Sequence, residues 1–181
     1  MADELDGLGI MVTRPAHQAE GLCQQIEEAG GHPWRFPVLE ILDPEDSGPL
    51  VEVIARLDDF DLAVFISPNA VNKAMNLIQS RRTLPEGLQL ATVGRRSAVE
   101  LRHFIGRDPD IFPKQKFDSE ALLAQPGMQD VAGKRIVIFR GDGGREFLGN
   151  TLTERGAEVT YAEAYRRGRP PADLGALQRA W

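Results

Sequence analysis

Four short apolar runs set the limits on what this chain can become: Gly9-Ile-Met-Val-Thr13, Asp61-Leu-Ala-Val-Phe-Ile66, Leu88 to Val93, and Lys134-Arg-Ile-Val-Ile-Phe139. Each has the length of a strand and is too short for a helix. Each runs into a small or polar loop and then into a helical stretch. Behind the first run, Ala19, Leu22, Cys23, Ile26 and Ala29 recur at three- and four-residue steps. Behind the second come Val71, Ala74, Met75 and Ile78. Residues 96 to 105 form a short helix behind the third, and Phe147, Leu148 and Leu152 face inward behind the fourth. Continuous apolar strands alternating with one-sided helices predict parallel sheets flanked by helices, an α/β fold.

The connecting residues agree with that pattern. Pro15 and Pro68 suit first helical positions, with Ser67 as N-cap before Pro68. Trp34 to Ile41 reads as extended, and Pro37 in its middle fits an edge strand or a connector. His32-Pro33 reads as a turn. A polar break from Asp43 to Pro49 precedes a helix bearing Leu50, Val53, Ile54 and Leu57. Asp110 to Pro113 reads as a brief strand and Ser119 to Leu123 as a helix start. Glu158 to Tyr165 is extended, Arg166 to Pro171 a linker, and Leu174 to Trp181 the beginning of a helix.

No run of some twenty apolar residues is present, so no membrane span is expected, and no secretory signal opens the chain. The single cysteine, Cys23, excludes an internal disulfide and falls on an apolar stripe as a core residue. These features favour a cytoplasmic protein. The net charge of −6 argues against nucleic acid as the main partner, although a local arginine cluster can still hold a small anion.

Ligands of open parallel sheets sit beyond the carboxyl ends of the strands. The loops there are Thr13-Arg14, Ser67-Pro-Asn69, Gly94-Arg-Arg-Ser97 and Arg140-Gly-Asp-Gly-Gly144. Each precedes a helix and so offers unpaired amides at a positive dipole end. Three of the four carry arginine, which favours an anionic ligand. Ordinary roles compete: Ser67 as a helix cap, Gly94 as a turn, the arginines as solvated surface. Gly141 and Gly143 match two positions of a dinucleotide fingerprint, but Glu146 occupies the third. No Walker signature follows. His17, His32 and His103 are scattered, with no metal-ligand spacing. Tyr165 lies where two lobes would hinge, with a hydroxyl able to donate into a cleft.

The loop residues together resemble the uroporphyrinogen-III synthase family. The resembling pieces are Thr13-Arg14-Pro15, Phe36-Pro37, Phe65-Ile-Ser-Pro-Asn-Ala-Val71, Ala91-Thr-Val-Gly94 with Ser97-Ala98, and Ser119-Glu-Ala-Leu-Leu123. Further on stand Arg140-Gly141 with Gly144-Arg145 and Leu148, then Leu152, Gly156, Val159 and Ala164-Tyr-Arg-Arg167. Their order over residues 9 to 167 carries the resemblance; the family often has threonine where Ser97 stands.

The resemblance implies two α/β lobes joined by a two-stranded connector. The expected boundaries are 1–36 for the first part of a discontinuous lobe, 37–162 for a complete second lobe, and 163–181 for the returning connector and the start of the rest of the first. On this expectation most of the returning half is absent. The implied activity is that of a cofactor-independent carbon–oxygen lyase. It would dehydrate hydroxymethylbilane, invert ring D and cyclise it to uroporphyrinogen III in tetrapyrrole and heme biosynthesis, without metal. Tyr165 would assist departure of the hydroxyl as a general acid. Arg14, Ser67, Asn69, Gly94, Ser97, Ser119, Arg140, Gly141 and Gly144 would bind substrate. A full-length form is expected to be a monomer in transient contact with the preceding enzyme of the pathway. The alternative is a non-catalytic, small-anion-binding or regulatory α/β domain.

Overall fold

The computed structural model describes residues 4–171 together with residues 175 and 178. The chain divides into two compact units, Met1–Leu42 with Arg167–Trp181, and Asp43–Arg166. Its expected final helix, Leu174 to Trp181, lies largely outside the described residues.

In the first unit, β1 (Gly9–Val12), α1 (Ala16–Glu28), β2 (His32–Arg35) and β3 (Glu40–Leu42) follow in order. Strands β1 and β2 pair in parallel, with Met11 opposite Trp34. Helix α1 buries Ala19, Cys23 and Ile26 against Val12, the stripe that its spacing predicts. His32 and Pro33 open β2 and do not form a turn, because the Leu8 carbonyl takes the His32 N–H at 2.8 Å. Proline is tolerated there since β2 is a sheet edge.

The second unit contains α2 (Gly48–Ala55), a 3₁₀ turn at Leu57–Asp59, β4 (Leu62–Phe65), α3 (Pro68–Gln79), β5 (Gln89–Thr92) and α4 (Arg95–Ile105). Then come α5 (Ser119–Leu123), β6 (Arg135–Gly141), α6 (Phe147–Glu154) and β7 (Glu158–Gly168), whose last two residues are counted with the first unit. Its strands run β7-β6-β4-β5, all parallel, and Ile111 bridges Ala91 on the far side of β5. The chain therefore builds outward from β4 through β5 to Ile111. It then crosses back to lay β6 and β7 on the other side of β4. The order reverses between β4 and β6, which makes their carboxyl ends a topological switch point.

Every residue of β4 is buried. Alternation sends Leu62 and Val64 to one layer, with Ile136 and Ile138 of β6 and with Leu122, Leu148 and Leu152 of α5 and α6. Phe65 and Phe139 face the other layer, stacked at 5.0 Å and 14°. Helix α3 covers that side with Ala70, Val71, Ala74, Met75 and Ile78.

Two further expected placements are corrected. Phe147 is 44% exposed, not inward-facing. It is the first residue of α6, one step off the stripe of Leu148 and Leu152 that meets the sheet. Arg166 to Gly168 continue β7 and do not form a linker. The extension holds because Gly168 lies against β3: a Cβ there would stand 2.6 Å from the Leu42 side chain.

Thr92 ends β5 fully buried, and its hydroxyl has no hydrogen-bond partner. Its desolvation is uncompensated, so Thr92→Val is expected to stabilise the protein by about 1 kcal/mol. Urea titration should show a higher midpoint at unchanged slope. A lower midpoint would mean the hydroxyl is satisfied.

Helix α5 is capped by Asp118, whose carboxylate accepts the Ala121 N–H at 2.8 Å. That backbone bond, and secondly Lys116 at 3.0 Å, lower its pKa from the ordinary 3.8. A depressed folded value means the cap's contribution is present above the ordinary carboxylate range and is lost as pH falls through the lowered value. Asp118→Asn should therefore flatten part of the stability decline as pH falls through and below the ordinary carboxylate range. Superimposable acid titrations of the two proteins would contradict this.

Candidate active site at the switch point

Strand β4 delivers Ser67 just past its carboxyl end, in extended backbone at φ −153° and ψ 160°. Its Oγ accepts the Ala70 N–H at 3.1 Å and so caps α3. Pro68 follows at the first helical position, where it needs no donor. The cap reading of Ser67 is thus correct, and its hydroxyl has a second partner: it shares a hydrogen bond with the Tyr165 hydroxyl at 3.2 Å.

Tyr165 reaches that place through a break in register. Arg140 of β6 pairs with Glu163 of β7, but the next residue, Gly141, pairs with Tyr165. One extra residue on β7, Ala164, forms a bulge that reverses the alternation and turns Tyr165 over Gly141. A Cβ on Gly141 would lie 2.6 Å from the tyrosine ring. Glycine is required here for close approach, with no special φ involved. The Tyr165 carbonyl accepts the Asp142 N–H at 2.9 Å, and the residue is only 2% exposed.

Arg140 is the penultimate residue of β6 and is 6% exposed. Its Nε donates to the carbonyls of Gly141 at 3.3 Å and Gly143 at 3.0 Å. Its guanidinium carbon lies 4.8 Å from the centre of the Tyr161 ring, a cation–π distance. Gly143 at φ 62° and Gly144 at φ 110° give the loop the left-handed backbone that side chains disfavour.

Asn69, Gly94, Ser97 and Ser119 follow strand positions of the second unit. Asn69 is half-buried in the first turn of α3. Gly94 precedes α4, and Ser97 is buried in that helix's first turn. Ser119 is half-buried as the first residue of α5, beyond the strand position of Ile111. Arg14 is exposed and belongs to the first unit. Direct contacts join Ser67 to Tyr165, Tyr165 to Gly141, and Arg140 to the Gly141–Gly144 loop. Beside Tyr165, a groove of about 1150 Å³ runs between α2 and β7, its walls including Leu50, Val53, Phe60 and Ala162. Sequence reasoning missed Tyr161. Its place in the strand was legible, but the ring's contact with Arg140 was not.

A parallel sheet whose order reverses at β4 and β6, with a capped helix, a glycine loop and a paired tyrosine at that reversal, defines a doubly wound α/β protein. In that class ligands sit at this edge. The model of the family described as uroporphyrinogen-III synthase HemD matches residues 20–181. The uroporphyrinogen-III synthase of Escherichia coli K12 is 38% identical over 161 residues, covering 88% of this chain and 65% of that protein. That of Proteus mirabilis is 33% identical, covering 88% and 80%. The chain belongs to the uroporphyrinogen-III synthase family. A mutant uroporphyrinogen III synthase from the extremely thermophilic bacterium Thermus thermophilus superposes with a TM-score of 0.68 over 91% of this chain and 64% of that one. At 19% identity that likeness shows the shared fold of two α/β units. The chain spans 65% of the length of its Escherichia coli and Salmonella typhimurium relatives. No helix among the described residues is long and apolar enough to cross a membrane.

Proposed function

We propose that this chain acts as a uroporphyrinogen-III synthase, a cofactor-independent lyase working on hydroxymethylbilane. The observation that carries the reading is the Ser67–Tyr165 hydroxyl pair above Gly141 at the switch point, in a chain of this family. The substrate's terminal hydroxyl would leave as water, taking a proton from the Tyr165 hydroxyl. Ser67 would orient that hydroxyl through their shared hydrogen bond. The cationic intermediate left behind closes without inversion when unguided. The protein's larger contribution would then be positional, holding the chain so that ring D inverts through a spiro intermediate before the macrocycle closes.

The substrate is a polycarboxylate, which suits loops that end strands and begin helices. Asn69, Gly94, Ser97, Ser119, Gly141 and Gly144 would offer amides and hydroxyls to it. Arg14 would offer a direct cation, and Arg140 the positive charge of the glycine loop. The test is incubation with hydroxymethylbilane and separation of the product isomers. Type III uroporphyrinogen in excess over the spontaneous type I is the expected result. Type I alone, at the uncatalysed rate, overturns the reading. Saturable binding with type I product would instead favour a non-catalytic anion-binding domain.

A further inference from the structure

Arg140 is enclosed by the fold, at 6% exposure. Its charge is met by two carbonyls of its own loop and by the Tyr161 ring. Its Nε, one of five N–H donors, is turned inward to the loop carbonyls and is not free for an anion.

The consequence follows from peptide geometry. A trans peptide carries its N–H opposite its C=O. Drawing the Gly141 and Gly143 carbonyls toward Nε turns the amides of Asp142 and Gly144 away from the guanidinium. The Tyr165 carbonyl takes the first of these at 2.9 Å. The second, on Gly144, stands three residues before α6 begins at Phe147. Tyr161 grips the same loop from below. Its ring stacks on Arg140, and its hydroxyl donates to the Glu146 carbonyl at 3.4 Å. Gly149 leaves room for that hydroxyl, since a Cβ there would stand 2.0 Å from it.

We propose that Arg140 is a positioning residue: buttressed by Tyr161, it holds the Gly141–Gly144 loop so that the amides of the loop and of α6, not the guanidinium, meet a substrate carboxylate. The proposal rests on the reading that this loop faces the polycarboxylate substrate.

The test compares the wild-type protein with Arg140→Lys and Tyr161→Leu. Lysine keeps the charge but lacks the planar fork; leucine keeps bulk but removes the stack. Exchange of the Asp142 amide reports the hold on the loop. In both variants it should accelerate, on the order of tenfold for Arg140→Lys. KM for hydroxymethylbilane should rise about tenfold with kcat within about twofold, the pattern of lost uniform binding. A raised KM at unchanged exchange would make the guanidinium itself the ligand and overturn the proposal. So would a fall in kcat at constant KM, which loss of folded protein produces. If the wild-type protein does not turn over hydroxymethylbilane, the functional reading fails. The exchange comparison then still separates a loop held by Arg140 from one that is not.

Discussion

Replacing Gly141 with alanine should remove most of the activity and part of the stability at once. The new methyl carbon would stand 2.6 Å from two carbons of the Tyr165 ring and 3.0 Å from its hydroxyl. The ring cannot simply swing aside. It is 2% exposed, its carbonyl holds the Asp142 amide, and its hydroxyl is bound to Ser67. Overpacking of this kind typically costs about 1–3 kcal/mol. A displacement near 1 Å at a reacting group can lower the rate about a hundredfold. The expected variant folds, with a lower urea midpoint, and makes little type III product. Wild-type turnover in Gly141→Ala would show that the ring's place over Gly141 is not what the reaction uses.

Tyr165→Phe separates the hydroxyl from the ring. The phenylalanine ring still fills the space over Gly141, and Ser67 still caps α3 through the Ala70 N–H. The 3.2 Å hydroxyl pair with Ser67 is lost. The stability change should stay within about 1 kcal/mol. The kcat for hydroxymethylbilane should fall about a hundredfold, the low end of what a positioned general acid contributes. KM should change little, because the hydroxyl is assigned to the leaving step and not to carboxylate binding. An unchanged kcat would reduce Tyr165 to an anchor that shapes the crevice and would move the proton's source elsewhere.

Much of the architecture was readable before any coordinates. The run Leu62–Phe65 is apolar at every position, which only a strand covered on both faces needs, and each of its residues is buried. Ser67-Pro68 announced the start of α3 by capping chemistry alone. Phe147 shows where this logic falters. Helical periodicity names a face but does not say how far the partner sheet extends under the first turn. His32-Pro33 and Arg166 to Gly168 show the same at element ends, where pairing with a distant strand decides the conformation.

The site divides in a similar way. The residue types at the strand ends were determined locally: a hydroxyl where a helix needs a cap, glycines where the loop turns left-handed, arginine beside them. Their partnerships were not. In an unbroken strand Tyr161 and Tyr165, four residues apart, would share a face. The extra residue at Ala164 parts them, sending Tyr161 to stack on Arg140 and Tyr165 to lie over Gly141 beside Ser67. A bulge has no local signature here, because it is set by the register of β7 on β6. The sequence by itself determined which strands and helices form and which chemistry stands at their ends, since these follow from side-chain periodicity and backbone preference within a few residues. The tertiary structure alone decided which groups meet, because one residue of register exchanges the faces of a strand.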